Sequence, residues 1–231
     1  MKNGKRIFAI VPAYNEEKSI KDVVFRLRKS GISPIVVDDH SSDRTATLAK
    51  KSGAVVIVQK SNTGKGQAMR AGIDYVLKNH PKAEFMVFID ADMQYMPEDA
   101  RKMVDILKSA KADIATGCRN WNAVPFRHKL GNFVWRSTFN TLFGTKLRDT
   151  NCGLMALRKD AVEKIKDSIK GGYIMENSMF IEALKKKLKI KQVEVSVSYK
   201  KISTVKHGMK TVGGVLLFII KEGVSYRIKG K

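Results

Sequence analysis

Acidic residues are scarce in this chain of 231 residues: 22 Asp and Glu stand against 44 Lys and Arg, a formal charge of +22. A surface so poor in negative charge seeks phosphates, on nucleic acid, on an anionic membrane or on a small substrate. Cysteine is also rare. Cys118 and Cys152 are the two present, too few and too far apart for a disulfide framework or a zinc motif, and both suit a reduced cytosolic interior. The four histidines are scattered, which argues against a histidine-rich metal centre. No apolar run reaches the roughly 18 to 20 residues that span a bilayer; the longest, "VGGVLLFII" at 212–220, is bracketed by Lys210 and Lys221. The basic N-terminus runs into Pro12 and then acids rather than a small-residue cleavage site, so no export signal is expected. Internal repeats and low-complexity linkers are missing as well.

What is present is a core and a rhythm. An apolar content of 43% is ample for one main domain. Short β-branched runs at 7–11, 35–38, 55–58, 85–89 and 114–116 alternate with amphipathic segments at 18–30, 45–52, 66–79 and 97–110. The last of these opens with Pro97, Glu98 and Asp99, which suit the start of a helix and the positive end of its dipole. Such alternation predicts an α/β fold with a mostly parallel central sheet and helices on both faces. After Asn120 the rhythm stops, and a longer-looped, aromatic and basic stretch is expected to about Gly172. A helix near 176–187, a strand in "KQVEVSVSY", a basic loop and the apolar tail complete the chain.

In such sheets ligands bind outside the carboxyl ends of the strands. The exits read "VPAYNEE", "VVDDHSSDRT", "SNTGKGQ", "IDADMQ" and "TGCRN", and polar and charged residues gather at each. Asp90 and Asp92 flank Ala91 directly after an apolar run, with Gln94 two places on. Carboxylates that close disfavour each other's ionisation unless a cation sits between them. Hard divalent cations such as Mg²⁺ and Mn²⁺ take oxygen ligands of this kind and complete their shell with water and substrate phosphates; the competing use of an Asp-x-Asp pair is a turn or helix cap. Asp38 and Asp39 either cap the segment after them or accept hydrogen bonds from a ribose or a base edge. Gly64 and Gly66 around Lys65 let backbone approach a phosphate, but no Ser or Thr follows the lysine and the leading glycine is absent. That excludes a Walker-type ATPase, and no G-x-G-x-x-G follows the first strand to support a dinucleotide site.

Taken in order and spacing, "VPAYNEE", "VVDDHSSDRT", "NTGKGQAMRAG", "FIDADMQYMPED", "GCRN" and "RDTNCGLMALRKD" resemble family-2 glycosyltransferases, and within them the dolichyl-phosphate mannose or glucose synthase-like branch. The match runs over 7–199. The resemblance implies a GT-A fold, a GDP- or UDP-hexose donor, Mg²⁺ or Mn²⁺, and inverting transfer. On the matching positions it implies that Pro12, Tyr14 and Glu16 contact the donor's base and ribose, with Val37 and Asp39 closing that pocket. Asp90, beside Ala91, reaches the ribose and metal region, and Asp92 and Gln94 are direct ligands of a metal that bridges the diphosphate. Arg119 faces the transferred sugar and the acceptor phosphate, where an arginine fork suits developing or resident phosphate charge. Asp149 matches an Asp-x-x-Cys/Ser-Gly element, either as a base for a hydroxyl acceptor or as the residue that orients Arg119 or Arg148. Two departures concern the acceptor side: Ser178 stands where the branch shows a second acid, and "KKISTVKHG" replaces a tighter basic motif.

A hydroxyl acceptor calls for a general base, whereas a phosphate monoester is largely dianionic near neutrality and already nucleophilic. A polyprenyl (dolichyl) phosphate acceptor needs cationic clamps instead, for which Arg119, Arg127 and Lys206 are the candidates. It also needs a foothold on a membrane. Trp135, Phe139, Leu142 and Phe143 share one helical face, as do Val212, Val215, Leu216, Ile219 and Ile220, with Lys and Arg nearby. Each stripe suits either a core helix or an interfacial one. The expectation is a catalytic domain over 1–208 and an amphipathic, membrane-interfacial tail over 209–231, in a peripheral enzyme on the cytoplasmic, inner face of an anionic membrane. Transfer to a sugar hydroxyl is the alternative. A nucleic-acid-binding module would fit the net charge, but no zinc finger or RNP-type aromatic motif supports it, and no nucleic-acid partner is expected.

Overall fold

The computed structural model describes residues 6–120, 126–169, 171–198 and 208–228. Strands β1 (Ile7–Ala13), β2 (Ser33–Asp38), β3 (Val55–Val58), β4 (Phe85–Phe88), β5 (Ile114–Arg119), β6 (Met155–Arg158) and β7 (Ile190–Val195) form one sheet in the order β3-β2-β1-β4-β6-β5-β7. Pairing is parallel throughout except at β6, which runs antiparallel to both β4 and β5. Strands β1, β4 and β5 are buried along their whole length, as expected where helices cover both faces.

Alternate residues of each strand feed two cores. Phe8, Ile10, Val37, Met86 and Phe88 pack with helix α3 (Lys65–Asn79) and with the later helices α5 (Phe126–Phe143), α7 (Met175–Lys185) and α8 (Gly208–Ile228). Ala9, Val11, Val36, Val87 and Ile89 face helices α1 (Ile20–Lys29), α2 (Thr45–Lys51) and α4 (Pro97–Ser109) on the other side. The first half therefore matches its predicted alternation. The stretch after Asn120 does so only in part: α5 carries the helical face expected for Trp135, Phe139, Leu142 and Phe143, but β6 and helix α6 (Lys159–Ile165) stand where longer loops were expected. Strand β6 offers only "MALR", buried at its first three positions and followed at once by a helix, so it carries neither alternation nor a turn signal.

The two apolar stripes meet each other. Phe139 and Phe143 of α5 are buried, as are Val215 and Ile219 of α8, and Trp135, Leu142 and Phe218 pack against the same core. Gly223 has no room for a side chain because a Cβ there would meet Leu142 at 2.7 Å. The Arg227 guanidinium donates to the carbonyls of Leu142 (2.6 Å) and Thr141 (2.7 Å), closing the C-terminal end of α5, where cations are favoured. The inner faces of both helices thus belong to the core. The outer face of α8 carries Leu217, Ile220, Val224 and Ile228 exposed; Ile220, expected on the same stripe as Val215 and Ile219, turns outward. Among the described residues no helix is long and apolar enough to cross a membrane.

Candidate active site

From β1 the chain proceeds to β2 and β3 on one side, then returns to β4 on the other flank of β1. That reversal is a topological switch point, and it opens a crevice at the carboxyl ends of β1 and β4. Short-range hydrogen bonds shape the crevice. Asn15 takes φ 55°, a conformation asparagine tolerates, and ties the β1 exit to the β2 exit. Its N–H donates to Ser41 Oγ (2.9 Å), and its Oδ1 accepts from the Ser42 N–H (2.9 Å). The Glu16 N–H donates to Thr45 Oγ1 (2.7 Å) and its carboxylate accepts from Ser19 Oγ (2.7 Å). Asp39 reaches the next loop: its carboxylate accepts from the N–H groups of Thr63 (2.8 Å) and Gly64 (2.7 Å) and from Thr63 Oγ1 (3.0 Å). Neighbouring Asp38 accepts from the Ser41 N–H (3.2 Å) through Oδ2, while its Oδ1 is buried without a hydrogen-bond partner.

The resulting cleft, about 230 Å³, is lined by Pro12, Ala13, Tyr14, Glu16, Asp39, Lys65, Asp90, Ala91 and Asp92. Most of the predicted donor-site residues are thereby brought to one place. Val37 is not among the lining residues; it is fully buried beneath α3, close to Gly72. Gln94 also lies outside the lining, engaged through its backbone: its N–H donates to Asp92 Oδ1 (2.8 Å) and its carbonyl accepts from the Ser198 N–H (2.9 Å).

Lys65 was missed as a site residue. Its Nζ lies 2.7 Å from Asp90 Oδ1 and 3.0 Å from Glu176 Oε1, at the N-terminal end of α7. Burial opposes the ammonium charge, but Asp90 and Glu176 outweigh it and hold the lysine above its ordinary value. Asp92 is displaced upward, first by burial and then by the charge of Asp90. A lysine opening a helix at a strand exit was the available signal, since the positive end of a helix dipole is a poor place for one.

A second cluster sits at the exit of β5. Asp149 accepts from Arg119 Nε (2.7 Å) and the Arg119 N–H (3.2 Å) on Oδ2, and from Arg119 Nη2 (2.8 Å) and the Asn151 N–H (3.0 Å) on Oδ1. Both carboxylate oxygens are engaged, and together they hold the Arg119 guanidinium in place. Burial disfavours the Arg119 charge, yet its hydrogen bonds to Asp149 and their opposite charges prevail, so the guanidinium stays protonated. Arg119 Nη2 also donates to Asn132 Oδ1 (3.1 Å), which accepts from Asn151 Nδ2 (3.3 Å); Asn151 Oδ1 in turn accepts from Asn177 Nδ2 (2.8 Å). Glu176 and Asn177 are consecutive, so the start of α7 joins Lys65 to the arginine cluster. Arg127 contributes its backbone to α5 but its side chain lies outside the described residues, as does the whole of Lys206.

The model of the family described as Glycosyl transferase family 2 matches residues 8–166. The chain belongs to glycosyl transferase family 2. This family-2 glycosyltransferase is 28% identical over 238 residues, 93% of its own length and 94% of the relative's, to a UDP-N-acetylglucosamine–dolichyl-phosphate N-acetylglucosaminyltransferase of Methanococcus voltae. It is 26% identical over 243 residues, 97% of its length and 89% of the relative's, to a polyprenol monophosphomannose synthase of Mycolicibacterium smegmatis. The GT-A fold of the family-2 enzyme also matches the crystal structure of glucosyl-3-phosphoglycerate synthase from Mycobacterium tuberculosis, in complex with Mn²⁺, UDP and glucosyl-3-phosphoglycerate, with a TM-score of 0.79 at 20% identity, covering 96% of this chain and 81% of that one.

The fit of a divalent ion can be judged from the donor set. Among the described residues no group of three or more His, Cys, Asp or Glu side chains is disposed to hold a metal. The Asp90–Asp92 pair is instead the sparse, all-oxygen set that Mg²⁺ and Mn²⁺ accept when phosphates and water supply the rest. Asp92 keeps one carboxylate oxygen clear of the Gln94 turn, and burial beside Asp90 disfavours its charge until a cation arrives. The residues fit such an ion.

Proposed function

We propose that this glycosyltransferase moves one hexose, mannose or glucose, from a GDP- or UDP-sugar to the phosphate of a dolichol or related polyprenol, with inversion. The observation that carries the reading is the single cleft at the switch point, where Tyr14, Glu16, Asp39, Asp90 and Asp92 converge beside the only described lysine in its lining. Tyr14 and Glu16 would hold the base and ribose, with Pro12 and Asp39 shaping that end and Ala91 leaving space over the ribose. Asp92, with Asp90 and Gln94, would hold Mg²⁺ or Mn²⁺, which when bound neutralises charge on the departing diphosphate. Arg119, locked by Asp149, would steer the acceptor phosphate toward the face of the sugar opposite the diphosphate, and Arg127 and Lys206 would add cationic contacts.

Two considerations favour a lipid phosphate. Both relatives carry a dolichyl or polyprenyl acceptor in their names, though their sugars differ. A phosphate needs no base, which agrees with an Asp149 fully occupied by Arg119 and Asn151. We read the chain as a catalytic domain over 1–208 and a tail over 209–231 that rests on the inner, cytoplasmic face of an anionic membrane through the exposed ridge of α8. The test is incubation with a panel of labelled nucleotide sugars, Mg²⁺ or Mn²⁺, and dolichyl phosphate. Label is expected in the organic phase; label confined to water-soluble products would overturn the acceptor.

A further inference from the structure

The donor cleft already contains a cation of its own. Lys65 opens α3, where an ammonium meets the positive end of the helix dipole, an unfavourable place for it when uncompensated. The loop before it is pinned: Asp39 holds Thr63 and Gly64, and Gly64 takes φ 88°, a conformation that favours glycine. The ammonium is thereby delivered to the gap between Asp90 and Glu176. The other oxygen of Asp90, Oδ2, packs on Gly153 so closely that a Cβ there would collide with it. With Lys65 on Oδ1 at 2.7 Å, a second cation approaching that oxygen meets an ammonium already in place. Asp92 is not restrained in this way, its one described bond being the turn from the Gln94 N–H.

We propose that Lys65 is the resident counter-cation of the cleft: its ammonium occupies Asp90 in the free enzyme, and a divalent ion gains Asp90 only in company with a nucleoside diphosphate whose phosphate oxygens draw the ammonium away. This rests on the nucleotide-sugar reading above. Lys65 is then the residue that couples metal to donor. It suppresses metal binding when no donor is present and supplies a fixed positive charge to the diphosphate when one is. Coupling of this kind is reciprocal, so the ion strengthens nucleotide binding by the same factor as the nucleotide strengthens ion binding.

The experiment is a Mn²⁺ titration of the whole chain, read by the loss of the free-ion electron paramagnetic resonance signal, with and without UDP or GDP. Wild type is expected to bind Mn²⁺ at least about tenfold more tightly with its preferred nucleotide than without. Lys65→Met is expected to tighten Mn²⁺ binding in the absence of nucleotide by about tenfold or more, and to shrink the nucleotide effect. Lys60→Met makes the same change in net charge at an exposed position with no described contact to Asp90, and should stay within about twofold of wild type. Lys65→Arg, which keeps the charge, should keep free-ion binding weak. Equal Mn²⁺ affinity of wild type with and without a bound nucleotide, or an unchanged nucleotide-free affinity in a folded Lys65→Met, would overturn the proposal. Failure of wild type to bind either nucleotide at any Mn²⁺ concentration would instead overturn the donor reading, and the nucleotide-free titrations separate the two.

Discussion

At the scale of single residues, two carboxylates with different surroundings predict opposite effects on stability. Asp92 is raised by burial and by Asp90, so in the folded, ligand-free chain its charge is disfavoured. The sign comes from linkage: a carboxyl raised in the folded state favours folding below its unfolded value, and that advantage is lost as pH climbs through the folded one. Asp92→Asn should therefore raise the Tm of the ligand-free protein at neutral pH, by roughly 2–4 °C if about 1 kcal/mol is relieved, with the gain fading in acid. Its turnover should fall by about 100-fold or more. A thermal melt at pH 7 and pH 4 alongside a transfer assay checks both, and a Tm that falls at pH 7 would contradict the strain assigned to the pair. Asp149 is the reverse case. Burying Arg119 without its partner leaves an uncompensated charge, so Asp149→Ala should cost about 3–5 kcal/mol in chemical denaturation. Loss of activity without loss of stability would return Asp149 to the role of a base.

Elements show why some of this was legible in the sequence and some was not. The strand exits of the first half could be read because each predicted strand is a short β-branched run followed by a helix, so Asp39, Asp90 and Asp92 could be placed at a common end from spacing alone. Lys65 had only its place at the start of a helix to mark it, a weak signal in so basic a chain, because its partner Glu176 lies 111 residues further on. Strand β6 escaped because four residues, the first three of them buried between two neighbours, have no periodicity to display. For α5, and for Val215 and Ile219 of α8, the spacing picked the right face but misplaced Ile220 and could not say what covered the stripes: the inner ones pack on each other, leaving Leu217, Ile220, Val224 and Ile228 as the exposed ridge. That division predicts a separable phenotype. Leu217→Gln with Ile228→Gln, at positions 68% and 78% exposed, should leave the denaturation midpoint within experimental error. The same pair should weaken sedimentation with lipid vesicles by about tenfold or more, if each side chain otherwise enters the bilayer interface. Unchanged sedimentation would remove α8 as the membrane contact.

For the whole molecule, the surplus of 44 Lys and Arg over 22 Asp and Glu sets how any anionic surface is approached. Coulombic attraction between exposed charges is cut as the Debye length shrinks from about 10 Å at 0.1 M salt to about 3 Å at 1 M. Apolar insertion is not weakened by salt in this way. A membrane held by both therefore has a two-part response, which nucleic-acid binding lacks: the latter falls steadily on a plot of log K against log salt. We expect binding to vesicles containing anionic lipid to decline with added NaCl and then level off at a residual set by the α8 ridge. The Leu217→Gln, Ile228→Gln protein should lose that residual while keeping the salt-sensitive part, because its lysines and arginines are untouched. Neutral phosphatidylcholine vesicles should show the residual alone. The transfer of label to dolichyl phosphate should track the vesicle-bound fraction in both proteins, since a polyprenol phosphate is available only at the bilayer. Transfer that continues at full rate after salt has released the protein would separate catalysis from the surface charge, and would leave the +22 without a part in reaching the acceptor.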